Sequence, residues 1–456
     1  MHRFRVWCFR TAVILLLLPS GAKSQSFPQI IESPRADIDF GRRVEATDSV
    51  LLVTARWDTA GQHHRGSVFV YERGATGWAS AGRLTLPDSL GKNGVFGRDV
   101  ALARVESTVF AISSLADSLG NHLVVFRKDT SDWSFHQDIR SPQLGQDFDA
   151  HGGTIVASRS GDVTLQLFEY RDNMFVADST LSQDGFWLGQ DIKMYQDVIV
   201  SSEWSFDPVP AGVVTFRRTN GVWSPINVPT PMSTSSGAST SLSGRSIAVV
   251  TNSIESEMSL YGYDGSEWQQ DQVFSLQAPF TFAITAEHVF IGSPFDATNG
   301  DNAGAVQVWQ KVGPEWQQKA LLFAPNAKNG DRFGRVHESI RGSDLFVSSD
   351  AGGGTVFAFP LADIVNLEST LPGTVTGVQM YPNPALDFVT INFRSAPSPQ
   401  NEVYLYDMMG RLLLSVYQNY STEATIDTSK LPAGSYIVVV RDDHHRLISK
   451  VLTVVK

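Results

Sequence analysis

From about residue 40 to residue 360, short apolar runs alternate with polar turns, at spacings that predict strands rather than helices. One block of this pattern recurs. It opens with an aromatic–glycine marker at Phe40-Gly41, Phe96-Gly97 and Phe333-Gly334, with weaker copies at Leu144-Gly145 and Leu188-Gly189. A β-branched run follows, as in Val50-Leu51-Leu52-Val53 and Asp197-Val198-Ile199-Val200. A third run comes after a loop, often directly after glycine: Gly66-Ser67-Val68-Phe69-Val70, Gly304-Ala305-Val306-Gln307-Val308 and Gly354-Thr355-Val356-Phe357. A lone aromatic then opens a fourth, at Trp78, Trp133, Phe175, Trp223, Trp268 and Trp316. The interval from Phe40 to Phe333 is 293 residues over six repeats, about 49 each. Four short strands at that period predict propeller blades, seven of them. The last block lacks a fourth strand, and Phe27-Pro28-Gln29-Ile30-Ile31 precedes the first. That segment is expected to pair beside Thr355–Phe359 and close the ring, removing a free sheet edge.

The blocks resemble FG-GAP repeats of integrin-α-like propellers, best at Asn329-Gly330-Asp331-Arg332-Phe333-Gly334 and at Ile291-Gly292-Ser293-Pro294. The tail has strand candidates at Phe388–Phe393, Glu402–Tyr406, Leu412–Tyr417, Ala424–Ile426, Ser435–Arg441 and Leu447–Val455, separated by turn signals. So many short strands without helices read as a small Ig-like β-sandwich. Its motifs are Tyr381-Pro382-Asn383-Pro384, Tyr406-Asp407-Met408-Met409-Gly410-Arg411, Leu431-Pro432-Ala433-Gly434-Ser435-Tyr436 and the terminal Lys450 to Lys456. In order, spacing and position they resemble the type A sorting domain of the type IX secretion system. The resemblance assigns the signal to Tyr381, Pro382, Asn383, Pro384, Gly410, Gly434, Tyr436 and Lys450. It implies passage across the outer membrane, with the secretion machinery as partner.

The N-terminus fits export. Arg3, Arg5 and Arg10 precede the apolar run Ala12–Leu18, and small residues follow Pro19, as in a secretory signal peptide. The expected organisation is a signal peptide at 1–24, a propeller at 25–362, a linker at 363–377 and a sorting domain at 378–456. The whole is an all-β chain: a seven-bladed β-propeller followed by a small Ig-like β-sandwich. No other stretch approaches membrane-span length.

Composition then narrows the function. The net charge is −11, and loss of the leader takes it to −15, which argues against nucleic-acid binding. The one cysteine, Cys8, lies in the leader, so disulfides, thiolate metal sites and cysteine nucleophiles are not expected in the mature chain. No Walker, zincin, Rossmann or nucleophile-elbow pattern occurs. Calcium is a familiar ligand of integrin-type blades, but no loop here has the Asp-x-Asp/Asn-x-Asp-Gly form, so no cofactor is expected. The nearest oxygen-rich cluster is Asp296, Asn299 and Asp301, which also reads as a solvated turn. His63-His64 and His444-His445 read as loop residues. The first strands are expected to carry no repeated acid, and Asp147 with Asp149 reads as a polar strand end.

Aromatics at repeating positions are expected to pack the blades. Trp57, Trp204 and Phe206 break the repeat and lie in the longest loops, on one rim with His63, His64 and Phe295. That rim is the expected binding face. The function expected is a non-catalytic surface or secreted protein that binds a glycan or another protein. The alternative is a secreted carbohydrate-active hydrolase or lyase, which needs paired carboxylates.

Overall fold

The computed structural model describes residues 28–365 and 378–456, apart from residues 37, 60–63, 92, 119, 130–131, 142, 160–163, 185, 204–211, 230–237, 252–255, 277–280, 326, 338–339, 341, 394–400, 408–411, 419–422 and 442–446. The leader, Phe27, His63, Trp204, Phe206, Gly410 and the His444-His445 pair lie outside the described residues.

Up to Pro360 the described strands form seven sheets, antiparallel but for one two-residue strand. The first sheet runs Phe40–Ala46, Val50–Ala55, Ser67–Gly74, Gly77–Arg83, each strand beside the next. Five further sheets repeat this order. They begin with first strands Gly94–Val105, Leu144–His151, Leu188–Tyr195, Ala238–Ser243 and Thr281–Ile284. The seventh runs Arg335–Val336, Asp344–Ser349, Thr355–Pro360, and its fourth strand is the N-terminal Gln29–Glu32. Gln29 is opposite Ala358 and Glu32 opposite Thr355. First strands touch in succession, and Phe40–Ala46 meets Asp344–Ser349, so the array returns on itself. The short strand His64–Arg65 leaves the first sheet and lies parallel to Gly94-Val95 of the second. The helix Leu361–Val365 packs Ile364, 2% exposed, into the core of the last two sheets, so the folded unit runs past 362 into the expected linker.

The recurring marker now has a physical cause. Phe40, Phe96 and Phe333 are essentially unexposed and fill the spaces between sheets. In three of the sheets the glycine before the third strand meets the marker of the next sheet. A Cβ on Gly66, Gly304 or Gly354 would come within 1.9, 1.8 or 2.2 Å of the carbonyl oxygen of Phe96, Phe333 or Phe40. Their φ values of +86°, +86° and +116° are also in the region glycine favours. Two signals half a repeat apart in sequence are therefore one backbone-to-backbone contact, and Gly354–Phe40 makes it across the ring closure.

A second contact operates at the outer rim. The Gln29 carboxamide donates to the Trp78 carbonyl (2.6 Å) and accepts from its amide (2.6 Å). Gln137 does the same for Phe175 at 2.8 and 2.9 Å, and Gln272 accepts from the Trp316 amide at 3.1 Å. Each glutamine clamps the aromatic that opens the outer strand of the following sheet. Of the aromatics at this repeated position, Trp78, Phe175, Trp268 and Trp316 are buried, at 6%, 1%, 3% and 5% exposed, and Trp133 and Trp223 are half-buried against the cores.

The tail has a three-stranded sheet, Val378–Tyr381, Phe388–Phe393 and Glu423–Asp427, and a four-stranded one, Leu412–Gln418, Asn401–Asp407, Gly434–Arg441 and Leu447–Val454. Val389, Ile391, Ala424 and Ile426 of one share a core with Val403, Leu405, Val438 and Leu452 of the other. Alternate residues point inward, the period-2 pattern of a half-buried strand.

Candidate functional site

The residues after each marker line the centre of the array. Strand register breaks between Phe40 and Val44, Phe96 and Val100, Leu144 and Phe148, and Leu188 and Ile192. Such bulges re-aim side chains. A hydroxyl on the second strand holds each bulge: Thr54 accepts from the Arg43 amide (3.0 Å), Ser114 from Asp99 (2.9 Å), Ser158 from Asp147 (3.3 Å) and Ser201 from Gly189 (2.9 Å). The bulges place Arg43, Asp99, Asp147 and Asp191 at equivalent positions on four successive first strands. Three of the four are acids. The expectation of no repeated acid on these strands is therefore corrected: the bulge hides the equivalence from a simple alternation count. Asp149 is separate from this set. Its carboxylate accepts from the amides of Ala150 and Met194, both at 2.7 Å, and so joins the third sheet to the fourth.

The four groups and Lys193 form a charged belt. Arg43 Nε lies 3.7 Å from Asp99, and Lys193 is bonded to Asp191. Asp191 also accepts from the amide (2.6 Å) and hydroxyl (2.9 Å) of Thr240. Burial pushes the Asp99 carboxyl up to about 7, and the nearby cations Arg43 and Lys193 only partly oppose this. Burial and then the Asp191 charge raise Asp147. Burial acts on Asp191 too, but the Lys193 ammonium and the Thr240 hydrogen bonds outweigh it and hold that carboxyl below the usual range. Of the three carboxyls Asp99 is therefore the one that takes up a proton as the pH approaches 7. Nearby, His337 is buried and bonded to Ser348 Oγ at 2.6 Å. Burial, then Arg335, Arg43 and Arg42, push its pKa well down, so it is neutral.

The mouth of this belt lies on the edge that carries the markers. Second strands end there, with Ala55 opposite Phe40 and Glu203 opposite Leu188. Trp57 and Phe295, which follow second strands, and Trp187, which precedes a marker, are 47%, 50% and 52% exposed on this edge. Arg56 stacks over Trp57 at 4.8 Å and Arg332 over Phe295 at 5.6 Å. Arg56 and Arg98 line a cavity of about 100 Å³ with Val95, Leu115 and Asn121. Other arginines here are paired: Arg35 with Asp58 at 2.9 Å, and Arg335 and Arg332 with Asp350 at 3.5 and 3.6 Å. Arg42, Arg56 and Arg98 make no ion pair among the described residues, and the buried Nε of Arg56 has no hydrogen-bond partner.

Of the residues expected on the binding rim, Trp57 and Phe295 are therefore exposed on one edge. His64 lies in the short parallel strand, and His63, Trp204 and Phe206 fall outside the described residues. Trp187, Arg42, Arg56 and Arg98 were missed by sequence reasoning, although each sits in or beside a marker or at the end of a second strand. The Asp296 to Asp301 cluster closes on itself: Asp296 accepts from the Thr298 amide at 2.8 Å, and the Asp301 amide donates to Asn329 at 3.0 Å. Among the described residues no three His, Cys, Asp or Glu side chains converge as metal ligands.

In the tail, Tyr381 is 49% exposed and Pro382, Asn383 and Pro384 are exposed beside it. Asn383 accepts from the Thr453 amide at 2.9 Å, and Tyr436 Oη donates to the Pro432 carbonyl at 2.7 Å. Lys456 Nζ donates to the Ser429 carbonyl at 2.6 Å, so the chain end is tied to the sheet. Lys450 lies in the last strand and Gly434 begins the strand that bears Tyr436.

Residues 379–454 match the family model of the secretion system C-terminal sorting domain. That domain marks the chain as exported to the cell surface or the extracellular space, and its partner is the type IX secretion machinery. A search of curated proteins finds no match. Among solved structures, U3-55K is 8% identical, with a TM-score of 0.49 over 74% of this chain and 98% of that one. A chain of the mitotic checkpoint complex is 10% identical, with a TM-score of 0.47 over 78% of this chain and 99% of that one. A candidate 6-phosphogluconolactonase from Bacteroides uniformis is 13% identical, with a TM-score of 0.44 over 69% and 98%. Likeness at this level carries no ligand or activity to this chain. No helix among the described residues is long and apolar enough to cross a membrane.

Proposed function

We propose that this chain is an exported binding protein. On this reading the seven sheets are the blades of one closed FG-GAP-type propeller, the tail is an Ig-like sorting module, and the marker edge takes the ligand. The observation that carries it is Arg56, whose buried Nε is without a partner, beside exposed Trp57 and a cavity shared with Arg98. A buried cationic donor left unsatisfied in a chain of net charge −11 is costly unless a ligand completes it. The ligand class is therefore anionic, a carboxylate- or sulfate-bearing glycan or protein of a cell surface. The aromatics supply contact area at little rotamer cost. The test is an array of neutral and acidic glycans and surface proteins probed with the native chain, Arg56→Gln and Trp57→Ala. Acidic ligands should be retained by the native chain and lost by both variants, with melting temperatures kept. Retention by Arg56→Gln, or melting that falls in step with binding, refutes the site.

A second reading rests on the belt. Asp99 and Asp191 lie in one channel with pKa values pushed apart, the arrangement by which two carboxyls divide acid and base roles. That supports a glycan hydrolase or lyase, and Asp99→Asn and Asp191→Asn should then each abolish turnover of a polysaccharide that the marker edge retains.

A further inference from the structure

The outer rim holds a site of a different kind. Trp78, Phe175, Trp223 and Trp316 each follow a two-residue turn and take the same rung, opposite Arg73, Tyr170, Arg218 and Lys311. At this rung the amide and carbonyl of the aromatic point away from its own sheet, toward the outer strand of the sheet before it. For Trp78 and Phe175 a glutamine carboxamide receives both groups, and for Trp316 it receives the amide. No side chain among the described residues does so for Trp133, Trp223 or Trp268, which take the same rung opposite Lys128, Arg218 and Tyr263, and of these Trp223 borders a cleft. The glutamine position is four residues past the aromatic, Gln137 after Trp133 and Gln272 after Trp268. Gln29 stands at the same rung, opposite Ala358, as Gln137 opposite Val125 and Gln272 opposite Leu260. Four residues past Phe175 is Ser179, whose side chain is too short to reach across. In place of the carboxamide is an open cleft of about 470 Å³, lined by Asp178, Ser179, Thr180, Arg171, Arg218 and Trp223.

We propose that this cleft binds the acetamido group of an N-acetylated amino sugar. The acetamido carbonyl accepts from the Trp223 amide and its N–H donates to the Trp223 carbonyl. It thus takes the place that a glutamine side chain fills at the clamped interfaces. The lining suits a neutral, hydroxyl-bearing ligand. Arg171 is paired with Asp178, and Arg218 with Glu169 and Asp197, so neither cation is left for an anionic ligand, and Ser179 and Thr180 line the space. A peptide added as an extra strand fits less well. The next outward position along Val222–Asn227 is Pro225, which has no amide to continue a ladder. The site is separate from the marker edge in residues and in the charge of its ligand.

The experiment is calorimetric titration of the full chain with N-acetylglucosamine and its β-linked dimer, against glucosamine and glucose. The N-acetylated sugars should bind, and the two lacking the acetamido group should bind at least about ten-fold more weakly, as expected for loss of a paired hydrogen-bonding group. Ser179→Gln should place an internal carboxamide in the cleft. It should lose sugar binding by about ten-fold or more while its melting temperature holds or rises, and Arg56→Gln should bind the sugar as the native chain does. Absence of binding by the N-acetylated sugars, equal binding of glucosamine, or unchanged binding by Ser179→Gln each overturns the proposal. Should Ser179→Gln fail to fold, nitrogen-labelled tryptophan in the native chain decides. N-acetylglucosamine must shift the Trp223 amide resonance, and a saturating titration that leaves it unmoved refutes the site.

Discussion

Replacing Asp99 by Asn should stabilise the protein, and more at pH 8 than at pH 5. In the folded chain the carboxyl titrates at about 7, against an ordinary 3.8, because it is withdrawn from water more than Arg43 and Lys193 compensate. A raised acid pKa means that the folded state holds a proton the unfolded chain has already released. Stability from this group is therefore present below about pH 4, falls as pH rises through the interval, and is fully lost above about 7. At about 1.4 kcal/mol per pH interval the whole effect approaches 4 kcal/mol, an upper figure since a fifth of the side chain meets solvent. Asparagine keeps the shape and cannot ionise, so the difference between variant and native should grow by up to about 2.5 kcal/mol from pH 5 to pH 8, the earlier part of the loss lying between about pH 4 and pH 5. For a unit of roughly 330 residues the unfolding entropy is about 0.7 kcal/mol per kelvin, so the shift in melting temperature is up to about 4 °C. Asp191 does not blur the result. Its pKa is held down, so its contribution is lost only as pH falls below the ordinary carboxyl range, outside this window. Scanning calorimetry of both proteins from pH 5 to pH 8 measures the difference directly. A variant that is equally or more destabilised at pH 8 shows that Asp99 is ionised in the fold, that its pair with Arg43 dominates, and that the proton is held elsewhere.

Further outcomes follow from the contacts between sheets. Gly304→Ala drives a methyl to 1.8 Å from the Phe333 carbonyl and should cost more than about 3 kcal/mol, whereas Gly313→Ala, with nothing within 4 Å, should cost about 1 kcal/mol from its positive φ alone; urea midpoints separate the two. Gln137→Ala removes both bonds to Phe175 and should cost about 1–3 kcal/mol, with hydrogen exchange quickened along Met174–Leu181 before the rest of the third sheet. Deleting residues 378–456 should leave the remaining chain folded and stop its arrival at the cell surface, and fractionation showing normal surface delivery would sink the role given to the tail.

Much of the architecture was readable because each repeated residue has the same contact to make. The aromatic–glycine marker and the glycine before the third strand recur because they meet across three interfaces, Gly66 with Phe96, Gly304 with Phe333 and Gly354 with Phe40. The closing strand was readable from a missing fourth strand at one end and a spare one at the other, and Gln29–Glu32 pairs where that logic places it. The tail strands were readable from alternation. What escaped was set by register. Asp99, Asp147 and Asp191 follow Phe96-Gly97, Leu144-Gly145 and Leu188-Gly189 at one spacing, but the bulge after each marker upsets the alternation that tells inside from outside. Trp187 escaped because its marker has decayed to Leu188-Gly189. Aligning the tetrads Phe-Gly-Arg-Asp, Leu-Gly-Gln-Asp and Leu-Gly-Gln-Asp would have exposed both.

The same reasoning bears on where function can reside in a repeat array. A residue that keeps the repeat is committed to a neighbouring sheet, as Gln137 is to Phe175, and has no bonding capacity left for a ligand. Capacity appears where one sheet departs from the pattern while its neighbour keeps it. At the outer rim the glutamine is replaced in several sheets, by Gly82, Ser179 and Asn227 among others, and at Ser179 the replacement leaves a cleft lined by Trp223. At the marker edge Arg42 and Arg98 follow the marker glycine in two successive sheets, and glutamine takes that place in the third and fourth. Arg56 adds a third charge without an ion-pair partner among the described residues. The belt between them differs, because its departures compensate one another: Arg43 replaces an acid in the first sheet and faces Asp99, and Lys193 enters beside Asp191 in the fourth. An internally balanced belt needs no ligand to be stable, whereas the two outer positions are left incomplete by the chain itself. That asymmetry is why binding is placed on the marker edge and in the Trp223 cleft, and why catalysis in the belt stands second.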